Sequence, residues 1–135
     1  MAPRTSLLAA LLTVSAGLAR ADPLPPTPGD IAVVEEGGQY VVRTDASSMP
    51  IYTYGRDPPD RSNCNDACAG LWPPVLASAG EHAIGDWTIV RRSDGADQWA
   101  FRHRPLYTYA RDRPGAATGN GIGGEWRLLT LGPSN

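Results

Sequence analysis

The chain predicts a small, mainly antiparallel β domain: two pseudo-symmetric strand meanders with one short helix. Three observations carry this. First, Pro50-Ile-Tyr-Thr-Tyr-Gly-Arg-Asp-Pro-Pro59 returns as Pro105-Leu-Tyr-Thr-Tyr-Ala-Arg-Asp-Arg-Pro114, so one supersecondary unit is used twice. Second, the apolar residues fall in short runs separated by Gly, Pro, Asp and Ser clusters, the pattern of strands and tight turns. Third, no long segment carries apolar residues at the 3.6 period of a helix. One repeat alone could not bury its apolar face, which explains the doubling.

The elements follow in order. Arg4 and the apolar run from Leu7 to Leu18 read as an export signal, and Ala19-Arg20-Ala21 reads as its cleavage site. The run is too short to span a bilayer and no second one follows, so the mature chain is expected to lack a transmembrane segment. Residues 1–21 are thus a leader, and a mature chain starting at Asp22 is expected to be periplasmic or secreted. No Cys sits at the cleavage site, so a lipid anchor is not expected. Residues 22–30 are a Pro-rich linker that cannot hold a helix or a central strand.

One β domain spans 31–131, as repeats over about 31–74 and 87–131. Ile31–Val34 and Tyr40–Thr44 read as strands around a Glu35-Glu36-Gly37-Gly38 turn. Pro50 leads into a strand over Ile51–Tyr54, which Asp57-Pro58-Pro59-Asp60 stops. A short helix fits 63–71, capped by Ser62 or Asn63 and ended by Pro73-Pro74. The second half repeats the plan with strands over Trp87–Arg92, Gln98–Arg102 and Leu106–Tyr109. A Gly-rich loop follows, then a strand over Trp126–Leu131. Gly70-Leu71-Trp72 lines up with Gly124-Glu125-Trp126.

Removal of the leader takes Arg4 and Arg20 from the 12 basic residues, all Arg, and none of the 14 acidic ones. The mature chain therefore carries ten Arg and a net charge of −4. Such a surface argues against nucleic acid or anionic lipid as the main partner. Export places Cys64 and Cys68 in an oxidising compartment, and their spacing suits a local disulfide on one helical face. The loop closed is tiny, so little stabilisation is expected from it beside that of a long-loop bridge.

Alternation along the strands puts Tyr52 and Tyr54 on one face and Ile51 and Thr53 on the other, and likewise Tyr107 and Tyr109 against Leu106 and Thr108. Buried phenols need polar partners. Asp57 and Asp112, at the strand ends, can accept from them or form Asx turns, and Arg56 and Arg111 can pair with the carboxylates. The set is read first as a repeated structural corner and second as a pocket for a cation or a small polar ligand, with Trp72 and Trp126 at its side.

These residues are those of a known pattern. The tandem Tyr-x-[Phe/Trp/Tyr]-x-x-Asp motif resembles that of a bacterial secreted or lipoprotein repeat family of unknown function. The resemblance runs through Tyr52, Tyr54 and Asp57, the Cys64/Cys68 pair, Trp72-Pro73-Pro74, Asp94-Gly95 and Trp99. It continues through Pro105-Leu106-Tyr107, Tyr109, Asp112 and Thr118-Gly119-Asn120-Gly121 to Trp126. It implies location and shape, and no reaction.

Other chemistries find less support. Gly119-x-Gly121-x-x-Gly124 matches a dinucleotide fingerprint as a string, but no strand–helix crossover surrounds it. Cys64 and Cys68 with His82 and His103 are candidate ligands for copper or zinc, or a thiol-redox pair. Asp57, Asp60, Asn63, Asn65 and Asp66 are dense in oxygen, as calcium requires, without the EF-hand spacing. No hydrolase motif is present, and nothing visibly tunes Asp57 and Asp112 into an acid–base pair. The expectation is an exported, non-catalytic binding or structural domain of the cell envelope, without a cofactor, that meets an envelope protein or a small ligand. A copper-type metal-binding or thiol-redox protein is the alternative.

Overall fold

Alternating short runs and tight turns give eight strands among the described residues of the computed structural model, which are 1–4, 6, 8–18 and 23–132. They are β1 (Ile31–Glu36), β2 (Gln39–Thr44), β3 (Tyr52–Tyr54), β4 (Trp87–Arg91), β5 (Asp97–Phe101), β6 (Arg104–Tyr107), β7 (Trp126–Leu128) and β8 (Thr130–Leu131). One α-helix, α1 (Ala67–Leu71), and one 3₁₀ turn (Ile122–Gly124) complete the elements. The cleavage site at 19–21 and Asp22 lie outside the described residues. Residues 8–18 carry no regular secondary structure and are exposed. Ordered packing begins at buried Pro28, whose carbonyl accepts from Ile31 N–H at 3.1 Å.

The fold is mainly antiparallel β, as the sequence predicts, in a five-stranded sheet of order β4-β5-β6-β3-β7 and a three-stranded sheet of order β1-β2-β8. The two copies of the motif lie side by side: β3 pairs antiparallel with β6, with Tyr52 opposite Tyr107 and Thr53 opposite Leu106. An antiparallel pairing of equivalent residues is a local two-fold axis.

The segment after each Trp crosses to the other repeat. β7 pairs with β3 of the first repeat. Its counterpart, Pro74–Leu76, bridges to Tyr107 and Gln98 of the second. The repeats thus complete one another's sheets, and neither buries its apolar face without its copy.

Several boundaries shift from expectation, each for a local reason. The expected strand over Trp126–Leu131 breaks at Leu129. There N–H donates to Ile51 O at 2.8 Å and C=O accepts from Val42 N–H at 3.3 Å, carrying the chain from one sheet to the other. The expected strand over Leu106–Tyr109 ends at Tyr107, because Thr108 N–H turns to Pro73 O and Ala110 N–H to Leu71 O. The strand over Gln98–Arg102 ends at Phe101; Arg102 and His103 form a two-residue turn with φ of 47° and 68°, the positive-φ turn whose twist matches the right-handed twist of paired strands.

The helix expected over 63–71 is only Ala67–Leu71. Ser62 and Asn63 cap no helix. The Ser62 hydroxyl faces Tyr107, and Asn63 N–H donates to Asp57 Oδ1 at 2.7 Å. Cys64 therefore precedes the helix, and the sulfurs do not share a helical face.

Alternation splits the interior in two. Ile51 and Leu106 join Ile31, Val42, Val75, Trp87, Trp99 and Phe101 in one cluster. Tyr52 and Tyr107 join Cys64, Trp72, Tyr109 and Trp126 in the other.

Candidate functional site

The first tyrosine of each motif, Tyr52 and Tyr107, is fully buried and donates to the aspartate of the other repeat. Tyr52 OH donates to Asp112 Oδ2 at 2.6 Å, and Tyr107 OH donates to Asp57 Oδ2 at 2.6 Å. Each aspartate also ties down the loop six residues on. Asp57 Oδ1 accepts Asn63 N–H at 2.7 Å; Asp112 Oδ1 accepts Thr118 N–H at 2.8 Å and the Thr118 hydroxyl at 2.6 Å. These are reciprocal corners, with strong hydrogen bonds to ionised acceptors.

Burial, and then the neighbouring carboxylate, push both phenols above their ordinary pKa, so they are neutral donors at physiological pH. Burial also raises Asp57; the bonds from Tyr107 and Asn63 and the charge of Arg92 act against it without cancelling it.

The tyrosines enclose a stack of four rings. Tyr54 stacks on Trp126 at 4.2 Å, Trp126 on Trp72 at 3.9 Å and 3°, and Trp72 on Tyr109 at 4.3 Å. Tyr52 and Tyr107 meet Trp72 and Trp126 edge-on at 5.3 and 5.2 Å, the preferred offset and edge geometries of aromatic pairs. All eight motif residues named from the sequence come together here. The arrangement is a filled interior around a two-fold axis, not an open cleft.

Gly119 supplies the tightest contact. A Cβ there would stand 2.7 Å from Trp72 Cη2 and 3.1 Å from Tyr109 Cδ1, so only glycine fits. Its N–H donates to Tyr52 OH at 3.0 Å. The glycine string belongs to a corner loop, followed by β7 rather than by the long helix a dinucleotide site needs.

The two corners differ in one respect that the sequence reading missed. Arg92 is buried beside the Asp57 corner. Its Nη1 donates to Gln98 Oε1 at 2.8 Å and to Ser62 Oγ at 3.1 Å, and its Nη2 donates to Cys64 O at 2.8 Å and Asn65 Oδ1 at 3.3 Å. Ser62 Oγ lies 2.7 Å from Tyr107 OH. One chain of hydrogen bonds therefore runs from Asp57 through Tyr107 and Ser62 to Arg92 and the Cys64 loop. The signal for it was in the sequence: Arg92 has the same strand parity as buried Val90.

Cys64 and Cys68 are joined in a disulfide with a Cα–Cα distance of 5.1 Å. This is the expected local bridge; the alternative metal set with His82 and His103 is not assembled in the described residues: the sulfurs bond each other, His82 is exposed, and His103 Nδ1 lies 2.9 Å from Asp60 Oδ2. The oxygen-rich 57–66 segment is likewise engaged, Asp57 with Tyr107, Asp60 with His103 and Asn65 with Arg92. Among the described residues no group of three or more His, Cys, Asp or Glu side chains gathers as a metal site. The expected pairing of Arg56 with Asp57 is replaced by an ion pair with Glu125, which the crossing of the second repeat brings alongside. No helix among the described residues is long and apolar enough to cross a membrane.

The family described as a secreted repeat of unknown function matches residues 33–76 and again 88–130. These two spans meet the crossing segments at their ends, so each match includes the strand its repeat lends to the other. No curated protein and no solved structure matches the chain. With two copies covering well over half its length, and the paired motif strands at the centre of its sheet, the chain belongs to this family of secreted repeats.

Proposed function

We propose that this is an exported, non-catalytic binding domain of the cell envelope, in which the motif tyrosines, tryptophans and aspartates are scaffold and the surface between the repeats meets the partner. The observation that carries this reading is the burial of both phenols with their hydroxyls committed to Asp112 and Asp57. A group held as a neutral donor inside the protein neither attacks nor takes a proton from a substrate. The leader 1–21 is removed on export, and the Pro-rich stretch ahead of Pro28 tethers the domain; Pro28 to Asp30, expected as linker, pack on it instead. The Cys pair serves as a clip, fixing the loop whose Cys64 carbonyl receives Arg92.

The test is Tyr52→Phe and Tyr107→Phe in the exported protein. Each substitution removes a hydrogen bond to a charged acceptor, about 1.5–3 kcal/mol, and melting falls by similar amounts in both. Unchanged melting would make the motif a site instead of a scaffold. Mass spectrometry of the exported chain gives Asp22 as its first residue.

A further inference from the structure

A cleft of about 330 Å³ opens between the turn after β2 and the segment that follows Trp72, away from the aromatic interior. Its size is at the lower end for a ligand site and suits one side chain or a small molecule. One wall comes from the turn after β2, with Thr44, Asp45 and Met49. The other is the crossing segment, with Pro74, Leu76 and Ser78. The floor is Asp30.

Two properties of this lining select a ligand. The first is charge: the titratable side chains among the lining residues are Asp30 and Asp45, and no arginine lines the cleft. Asp30 is an anion by construction. Its Oδ1 accepts the Ser78 hydroxyl at 2.6 Å, and its Oδ2 accepts Ser78 N–H at 2.8 Å and the Trp99 indole N–H at 2.9 Å. The second is an apolar rim. Leu76 is 51% exposed, the most of any large apolar side chain from Pro28 onward, and it lines the cleft, as does Met49. An exposed leucine in a cleft whose only charged lining side chains are carboxylates fits an alkyl chain that ends in a cation.

We infer that this cleft binds a primary alkylammonium group, its methylene stem against Leu76 and Met49 and its head toward Asp45 and Asp30. This rests on the binding-domain reading above and names the ligand chemistry for it. The group reaches the envelope as a free diamine or as a lysine side chain of a partner. The chain itself contains no lysine, so the ammonium comes from outside it. The net charge of −4 on the mature chain favours the approach of a cation.

The experiment is calorimetric titration of the full exported protein with 1,5-diaminopentane, with acetyl-Gly-Lys-Gly-amide and with 1-pentanol. At least one amine binds and pentanol does not. Asp45→Asn weakens amine binding at least tenfold and Leu76→Ser about fivefold, while 1 M NaCl abolishes it. Binding of the diamine alone assigns a free amine; binding of the peptide alone assigns a partner's lysine. No heat from either amine, or binding that both variants leave unchanged, overturns the inference. Asp45 and Leu76 lie outside the corners, so that result leaves the scaffold test by tyrosine substitution intact.

Discussion

Arg92→Met is the most informative single change, because it removes a buried cation that nothing in the repeat pattern demanded. The side chain is 2% exposed, and its two short bonds, to Gln98 Oε1 and Cys64 O, are each 2.8 Å. Its carboxylate contact is loose, with Nε 3.8 Å from Asp94 Oδ2. Methionine fills the space of the stem and supplies no donor. It leaves the Gln98 and Cys64 oxygens without their partner, at about 1–3 kcal/mol each. Relief from burying the guanidinium offsets part of this, so the net loss is about 3 kcal/mol. For a domain near 100 residues that lowers Tm by about 12–24 °C. Lysine, with a point charge in place of the fork, recovers only part of the loss. Arg91→Met is the control: that side chain is 70% exposed and pairs with Asp97 at 3.1 Å, a surface contact worth under about 1 kcal/mol. Thermal melts followed by near-ultraviolet circular dichroism read all three. A loss for Arg92→Met no greater than that for Arg91→Met refutes the reasoning.

Gly119→Ala drives a methyl into Trp72 and Tyr109 and lowers stability by about 1–3 kcal/mol. Gly70→Ala, in α1 with open space around it, raises stability by about 0.5–1 kcal/mol in the same denaturant titration. Asp30 and Asp57 bend the pH profile in opposite directions. Burial pushes Asp30 up, but the Ser78 hydroxyl, the Ser78 amide and the Trp99 indole together hold it below its ordinary 3.8. Its stabilisation is therefore present above that value and lost as pH falls through the folded pKa. Asp57 is raised, so its contribution is present below 3.8 and lost as pH rises through its folded value. Denaturant midpoints across pH 2–7 show Asp30→Asn flattening the acid limb, and a flattening at that limb from Asp57→Asn instead would reverse the assignment.

The repeat made the strands, the inward and outward faces, the turn residues and the pairing of tyrosines with aspartates legible. Strand parity alone sends Ile51 and Leu106 to one core and Tyr52 and Tyr107 to the other. The partners were not legible. The segments after Trp72 and Trp126 have the same local pattern, so nothing in either says whether it returns to its own motif strand or crosses to the other. That choice is made by long-range packing, through the Trp72–Trp126 stack and the turn of Leu129 between sheets. It also decides that Arg56 meets Glu125. The short helix starts later than expected for a related reason: Ser62 and Asn63 have capping chemistry, but the Tyr107–Asp57 corner claims both of them first.

The exchange between repeats is tested most directly by double-mutant cycles on melting free energy, pairing Tyr52→Phe and Tyr107→Phe with Asp57→Ala and Asp112→Ala. The account predicts coupling of about 1 kcal/mol or more for Tyr52 with Asp112 and for Tyr107 with Asp57, and less than about 0.5 kcal/mol for Tyr52 with Asp57 and Tyr107 with Asp112. Coupling within each repeat, with none across them, would contradict it.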